Sequence, residues 1–233
     1  DELERSEEEE LKRHCMLDLT DEVELKNAEG KVIRNRAGYE YMKKKQAPET
    51  VNPLLWKSCI KAYHSEILEV VKGKVYTACG LACSNVTFIR GNSGWIVQDT
   101  GISEEAMNFI LDHLEELLYE KIRGNIKAIL ISHSHVDHIS GIGALVTTEE
   151  TGAIEEGKIP VIVPGPWEKS RVAEHAGAGN AMVRRSAFQF AYEVEKGVKG
   201  TLGDSLSWDY IVGKGSYIAP TMEIFEKTVL EID

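Results

Sequence analysis

The sequence has no apolar run that approaches the roughly 20 residues needed to cross a membrane as a helix. It also has few basic residues, since 27 Lys and Arg stand against 38 Asp and Glu and give a net charge of −11. Because binding to a phosphate backbone needs a basic face, this charge argues against nucleic acid as a partner. The first residues are acidic and lack the basic and apolar pattern of a signal peptide, so we favour a cytoplasmic location.

Cysteine is also scarce, and its four positions do not form the spaced pairs of a disulfide framework. These residues are Cys15, Cys59, Cys79 and Cys83. Cys79 and Cys83 lack the second ligand pair of a structural zinc site, so their spacing supports zinc binding only weakly. We expect buried or strand-end thiols instead, because free cysteine behaves as a small hydrophobic residue.

The sequence does contain alternating strand and helix patterns, which predict the α/β class. The clearest helix follows Ser103, a good N-cap, and carries apolar residues at helical spacing over 107–118. We expect Gly124 to end this helical segment. The apolar run 161–164 predicts a later buried strand.

The N-terminal region has a different composition. Residues 2–14 are dense in Glu, Lys and Arg and predict a solvated helix or a frayed terminus. Residues 26–53 mix Gly, Asn, Lys and Pro and predict an irregular arm. A short amphipathic helix is expected from the near-helical spacing of Trp56, Ile60, Tyr63 and Ile67. A hairpin around Gly73 should follow it.

The most informative segment runs from Ile131 to His138, where three histidines and one aspartate occupy six positions just after an apolar strand. Open α/β sheets place their chemistry at such strand ends. The ligands His133 and His135 can bind one metal ion while Asp137 and His138 bind a neighbouring one, and two ions so placed can hold a bridging hydroxide. Imidazole and carboxylate suit Zn²⁺, Mn²⁺ or Fe without choosing between them.

The alternative interpretation of this segment is a polar loop whose histidines only cap strand and helix ends. We favour metal binding, because a structural histidine with satisfied hydrogen bonds is usually a solitary one.

The HxHxDH pattern after an apolar strand resembles the signature of the metallo-β-lactamase superfamily. Residues 85–89 and 94–101, which include Asp99-Thr100-Gly101, resemble the paired strands and turn that open that fold. Further segments resemble one branch, the alkylsulfatases, which hydrolyse alkyl sulfate esters. These segments are 51–56, 84–89 with 94–97, 132–138 and 179–185. The resemblance extends over roughly residues 24–233.

This resemblance implies an α/β fold of the metallo-β-lactamase-like αββα sandwich type and a dinuclear site for two Zn²⁺ ions. The implied metal ligands are His133, His135, Asp137 and His138. Asp137 is also the candidate catalytic residue, because its carboxylate could orient the nucleophile. Family members complete the site with two glutamates and another histidine further along the chain, and they carry dimerisation and lipid-carrier-like domains.

The same comparison predicts how the chain is divided. We expect residues 1–50 to be an acidic segment and irregular arm, and residues 51–233 to be the N-terminal half of the catalytic domain, with the chain ending inside a strand. A half-domain would leave its metals under-coordinated and its strand edges exposed, so we predict that it needs the C-terminal half. That half could be a continuation of the chain or a second polypeptide.

The expected partners are an alkyl sulfate-type small molecule and, for the complete enzyme, a second copy in a homodimer. The resemblance makes Asn180 the best candidate for a contact with the sulfate group. Arg184 is a second candidate, because anionic oxygens need donors such as Arg, Asn and backbone amides. Arg184 and Arg185 could equally form structural ion pairs in so acidic a protein.

Some positions depart from the alkylsulfatase pattern and leave the substrate open. Gly177 stands where an aromatic residue is common, and Phe188 and Phe190 stand where tyrosines are common. One alternative function is therefore hydrolysis of another ester, such as a thioester, a phosphodiester or a lactone. Another is a non-catalytic role as an interaction or assembly subunit.

Overall fold

A computed structural model describes residues 9–44, 46–203 and 213–233 of the chain. Its strands are β1 (Cys15–Asp18), β2 (Glu24–Lys26), β3 (Val32–Asn35), β4 (Glu66–Val71), β5 (Val75–Cys79), β6 (Val86–Arg90), β7 (Trp95–Gln98), β8 (Ile126–Leu130), β9 (Val161–Pro164) and β10 (Met222–Ile224). Eight of them form one sheet in the order β1-β4-β5-β6-β7-β8-β9-β10. The strands β2 and β3 form a separate antiparallel pair.

The main sheet changes from antiparallel to parallel pairing at β7. The strands β1, β4, β5, β6 and β7 pair antiparallel in that order. The next neighbours, β7 with β8, β8 with β9 and β9 with β10, are parallel. Parallel neighbours need a crossover connection. The C-terminal ends of β7, β8 and β9 therefore meet at one edge of the sheet, where α/β proteins place their sites.

The helices are α1 (Pro53–Tyr63), α2 (Glu104–Leu118), α3 (Val136–Ile139), α4 (Ile142–Leu145), α5 (Thr148–Glu155), α6 (Trp167–Val172) and α7 (Ala178–Gln189). Glu40–Lys43 form a 3₁₀ turn, and Ala173–Gly177 form a π-helical turn between α6 and α7. The helix α2 provides the crossover from β7 to β8. It begins as predicted, because the Ser103 hydroxyl accepts a hydrogen bond from the Ala106 N–H at 3.2 Å.

One apolar core joins the sheet to the helices. Phe88 of β6 and Trp95 of β7 are fully buried at the centre of the sheet, and Leu111 of α2 belongs to the same cluster. Leu19 and Tyr39 from the N-terminal region are also part of it. The described N-terminal residues thus share the core of the sheet.

The predicted α/β class is confirmed, and the predicted strand at 161–164 has the same bounds in the structure. All four cysteines are free thiols, as expected, and Cys59 is buried. Of the predicted acidic helix over 2–14, residues 9–14 are helical and residues 1–8 lie outside the described part of the chain.

Four predictions about the elements are wrong. The last residues, 229–233, are not in a strand, although the sequence predicted that the chain ends in one. The helix that begins at Pro53 ends at Tyr63, and Ile67 is instead a fully buried residue of β4. Its burial explains the apparent helical spacing. The arm over 26–53 is not wholly irregular, since it contains β3 and a 3₁₀ turn. The helix α2 ends at Leu118, well before Gly124.

In the described part of the chain, every helix is too short or too polar to cross a membrane.

Candidate metal centre

The histidine loop, residues 132–138, lies at the C-terminal edge of the parallel strands. β8 ends at Leu130, and the buried Ile131 leads into the loop. His135 is extended, and α3 begins directly after it. This short helix turns the chain back, so that His138 Nδ1 lies 3.4 Å from the hydroxyl of Ser132. The predicted order of strand and polar loop is confirmed.

The structure brings the four predicted ligands together as two pairs. His133 Nε2 lies 3.1 Å from His135 Nδ1, and Asp137 Oδ2 lies 3.3 Å from His138 Nε2. The rings of His133 and His138 are 4.0 Å apart between centroids, which joins the two pairs. The division of these ligands between two neighbouring ions stays a prediction.

Asp99, at the end of the adjacent strand, contacts two residues of the histidine loop. No sequence pattern predicted a role for it in the site. Its carboxylate accepts hydrogen bonds from the Ser132 N–H at 2.8 Å and from the Ser132 hydroxyl at 2.9 Å. The same carboxylate lies 2.8 Å from His138 Nδ1. A carboxylate on the second ring nitrogen fixes the orientation of a metal-binding histidine and leaves Nε2 for the metal.

Neighbouring charges shift the pKa values of the titratable side chains in the loop in different directions. Burial opposes the protonation of His138, but the carboxylates of Asp137 and Asp99 outweigh it and raise the pKa of His138 to about 9. Burial and the neighbouring His138 and His135 lower the pKa of His133, which favours its neutral form, the form that binds metals. Burial opposes ionisation of Asp137 too, yet the hydrogen bond and charge of His138 hold its pKa below the usual range.

Backbone contacts clamp the loop to the turn after β7. The Thr100 N–H donates to the His138 carbonyl at 2.8 Å, and the Ser140 N–H donates to the Gly101 carbonyl at 3.1 Å. Gly141 lies so close to the Thr100 carbonyl that any Cβ atom there would overlap it. The two segments that were recognised separately in the sequence therefore form one rigid unit.

Glu174 is a further member of the site that the sequence did not indicate. It lies in the π-helical turn Ala173–Gly177, and its Oε1 is 3.0 Å from His135 Nε2. π-Helical turns occur frequently at functional sites, because the extra residue redirects a side chain. No spacing in the sequence relates Glu174 to a loop 39 residues earlier.

A cavity of about 820 Å³ opens beside the loop. Its lining includes His135, Asp137 and Glu174, together with Asn180 and Arg185 of α7. Apolar lining residues include Met182, Val183 and Phe190. The cavity thus combines two of the predicted metal ligands with an amide, a guanidinium and apolar side chains.

Of the two predicted substrate contacts, Asn180 lies in the lining of this cavity. Arg184 is exposed on α7 and does not line the cavity, whereas the neighbouring Arg185 does. A contact between Arg184 and substrate stays a prediction, and Arg185 is better placed in this structure.

Residues 82–218 match the family described as the metallo-beta-lactamase superfamily, and this match covers more than half of the chain. The chain belongs to the metallo-beta-lactamase superfamily. Within it, the similarity is to the alkylsulfatase branch. An (R)-specific secondary-alkylsulfatase of Pseudomonas sp. is 32% identical over 185 residues, which are 78% of this chain and 26% of the relative. An alkyl/aryl-sulfatase of Saccharomyces cerevisiae is 31% identical over 85% of this chain and 30% of its own length.

The solved structure of a stereoselective inverting sec-alkylsulfatase from Pseudomonas sp. has the same fold as this superfamily member. The two superpose with a TM-score of 0.84 at 30% identity, over 97% of this chain and 35% of that chain. The chain therefore spans about a quarter to a third of the length of these alkylsulfatases.

The donors of this metallo-beta-lactamase superfamily member fit divalent zinc. Neutral imidazole and carboxylate are the ligands that Zn²⁺ takes from histidine and acidic residues. The histidine loop supplies these donors two at a time, so each ion would need further ligands. In the part of the chain that the structure describes, three donors that meet around one point are found elsewhere, at Asp18, His64 and Glu66.

Proposed function

We propose that this chain supplies part of the metal centre and the substrate cavity of a zinc-dependent hydrolase of alkyl sulfate esters. The observation that carries the proposal is the pairing of four ligand side chains beside a cavity with an apolar wall. The similarity to alkylsulfatases supports the substrate class. Because the chain covers only a part of those relatives, the activity belongs to the complete protein.

We assign His133 and His135 to one zinc ion, and Asp137 and His138 to the other. When bound, two such ions supply an activated water or hydroxide and offset charge on the ester oxygens. The role of Asp99 is to hold His138 through Nδ1, which leaves Nε2 facing Asp137. Dimerisation of the complete enzyme remains part of this proposal.

The lowered pKa of Asp137 keeps its carboxylate ionised at neutral pH. An ionised carboxylate accepts hydrogen bonds from water, so Asp137 can orient the attacking water as well as bind metal. His138 Nε2 and Asp137 Oδ2 lie 3.3 Å apart, close enough for one ion to contact both.

The lining of the cavity offers groups that suit both ends of an alkyl sulfate. Asn180 and Arg185 provide hydrogen-bond donors for the anionic sulfate, and a guanidinium can contact two of its oxygens. Arg184 remains the second candidate cation on the same helix. Met182, Val183 and Phe190 provide apolar surface for the alkyl chain, whose burial contributes about 0.8 kcal/mol for each CH₂.

The proposal is tested by His135→Ala in the complete protein. Loss of this ligand should remove about one equivalent of bound zinc per chain and slow alkyl sulfate hydrolysis by at least roughly 100-fold. Elemental analysis and a sulfate-release assay measure the two effects. His113→Ala is the matched control, because the His113 ring forms its hydrogen bond within its own helix, with the Phe109 carbonyl at 2.8 Å.

An unchanged zinc content and rate in His135→Ala would contradict the metal assignment. A panel of alkyl sulfates, thioesters, phosphodiesters and lactones on the unmodified protein tests the substrate class. Faster turnover of any other ester class would replace the sulfatase function and leave the metal assignment intact.

A further inference from the structure

Three side chains outside the histidine loop form a second group of metal donors. We call Asp18, His64 and Glu66 the edge triad. Each offers one ligand atom, and these atoms all lie within 4.8 Å of one another. His64 Nδ1 is 4.0 Å from Glu66 Oε1, which is too long for a hydrogen bond. Two donors bound to one zinc ion at 2.0–2.2 Å are about 3.3–4.4 Å apart, so the spacing leaves room for an ion.

The register between β1 and β4 places two carboxylates of the edge triad next to each other. Asp18 of β1 lies directly opposite Glu66 of β4. Like charges at directly opposed positions of neighbouring strands destabilise a sheet. Arg36 acts on the charge of Asp18, whereas the charged groups that act on Glu66 are His64 and Asp18. Among the described residues, no lysine or arginine forms an ion pair with Glu66.

The two carboxylates respond differently to this environment. Burial raises the pKa of Glu66, and the negative charge of Asp18 raises it further while His64 opposes both. Burial also disfavours ionisation of Asp18, but hydrogen bonds from Thr20 outweigh it and lower the pKa of Asp18. Asp18 and the half-buried Glu66 place two carboxylates at directly opposed positions, and a cation between them would offset their repulsion.

The edge triad is separate from the histidine loop. Antiparallel pairing brings the C-terminal end of β1 and the N-terminal end of β4 to the same sheet edge as the C-terminal end of β8. Four strand spacings separate β4 from β8, which is about 19 Å at 4.8 Å per strand. One ion cannot contact both groups.

We propose that the edge triad binds one Zn²⁺ ion of its own and thereby fastens the edge strand β1 to β4. One imidazole and two carboxylates suit zinc, whereas Ca²⁺ prefers an all-oxygen set. We assign the remaining coordination position to water.

The test is a count of tightly bound zinc per chain by elemental analysis, with affinities from competition against a chelator. His64→Gln and Glu66→Gln should each remove one equivalent of zinc or weaken that site more than roughly tenfold. His14→Gln is the matched control. His14 Nε2 lies 3.2 Å from Glu10 Oε1, and among the described residues His14 does not belong to a group of three metal donors. This control should keep the zinc content of the unmodified chain.

A second variant separates the edge triad from the histidine loop. Replacing His133, His135 and His138 by Gln should leave one equivalent of zinc, and adding His64→Gln should remove it. If the triple variant does not fold, the single variants decide. Metal-free Glu66→Gln should be at least as stable as the unmodified chain, because the opposed charges are gone. The proposal is overturned if His64→Gln binds as much zinc, with the same affinity, as the unmodified chain.

Discussion

At the scale of single residues, buried carboxylates hold turns of the backbone in place. Glu115 of α2 is the clearest case, since its side chain is only 5% exposed. Its Oε1 accepts hydrogen bonds from the Ile122 and Arg123 N–H groups, each at 2.9 Å. Its Oε2 pairs with the ammonium of Lys121 at 2.8 Å. One side chain thus ties the end of α2 to the turn that leads into β8.

Glu115→Gln should destabilise the fold by about 1.5–3 kcal/mol at neutral pH, because a charged acceptor of several hydrogen bonds is lost. Burial opposes ionisation of Glu115, but its donors outweigh that effect and hold its pKa below the ordinary 4.5. The stabilisation is therefore complete above pH 4.5 and disappears as the pH falls through the lowered pKa. Urea unfolding at a series of pH values measures the difference between the variant and the unmodified chain.

The exposed neighbour Glu116 provides the control for this prediction. Glu116→Gln should leave the unfolding midpoint unchanged at every pH. A Glu115→Gln deficit that persists unchanged well below pH 4 would contradict the electrostatic explanation.

The sequence indicated site residues only where they are close together in the chain, and their metal binding stays a prediction. The HxHxDH spacing indicated which side chains meet, and the structure places them as two pairs. Asp99 and Glu174 were not assigned to the site, because they reach it from 33 or more residues away. Their contacts depend on strand register and on a π-helical turn, and neither has a local pattern.

At the scale of elements, the two ends of α2 are determined by different interactions. Its beginning was predicted, because Ser103 caps it with its own side chain. Its end was not, since the chain leaves the helix at Tyr119, which takes the left-handed conformation with φ 52°. Helices commonly end on such a residue, and it is usually glycine. The turn after Tyr119 is held by hydrogen bonds from the Ile122 and Arg123 N–H groups to Glu115.

Tyr119→Gly should stabilise the fold by about 0.5–1 kcal/mol, because glycine adopts positive φ without a steric cost. The side chain of Tyr119 is 96% exposed, so its removal loses almost no packing. Thermal unfolding measures the gain. Tyr119→Ala keeps the Cβ atom and should show no such gain, so an equal gain in both variants would refute the role of backbone strain.

At the scale of the whole molecule, one apolar core contains residues from both sides of the change in composition near residue 50. The sequence suggested a boundary near residue 50, and that division stays a prediction. Leu19, which precedes the boundary, is fully buried and donates its N–H to the Ser65 carbonyl at 2.7 Å. It belongs to the same apolar cluster as Leu202. We therefore expect the described N-terminal residues to unfold together with the sheet.

Leu19→Ala should lower the free energy of unfolding by about 2–5 kcal/mol, through lost apolar burial and the cavity left behind. Tryptophan fluorescence and far-ultraviolet circular dichroism should report the same shifted urea midpoint. Leu54→Ala is the control, because Leu54 is 75% exposed and should change stability by less than about 0.5 kcal/mol. An unshifted fluorescence midpoint in Leu19→Ala would mean that the N-terminal region does not support the sheet.

The sequence by itself determined the α/β class, the start of α2, the strand at 161–164 and the loop that carries the histidines. Each of these depends on residues within a few positions of one another, so local spacing and capping are enough. Only the tertiary structure decided that Asp99 and Glu174 join the histidine loop, that Asn180 and Arg185 share its cavity, and that Asp18 meets Glu66. These contacts arise when strand pairing and helix packing bring together residues that are far apart in the sequence. No local sequence pattern predicts which of those residues will meet.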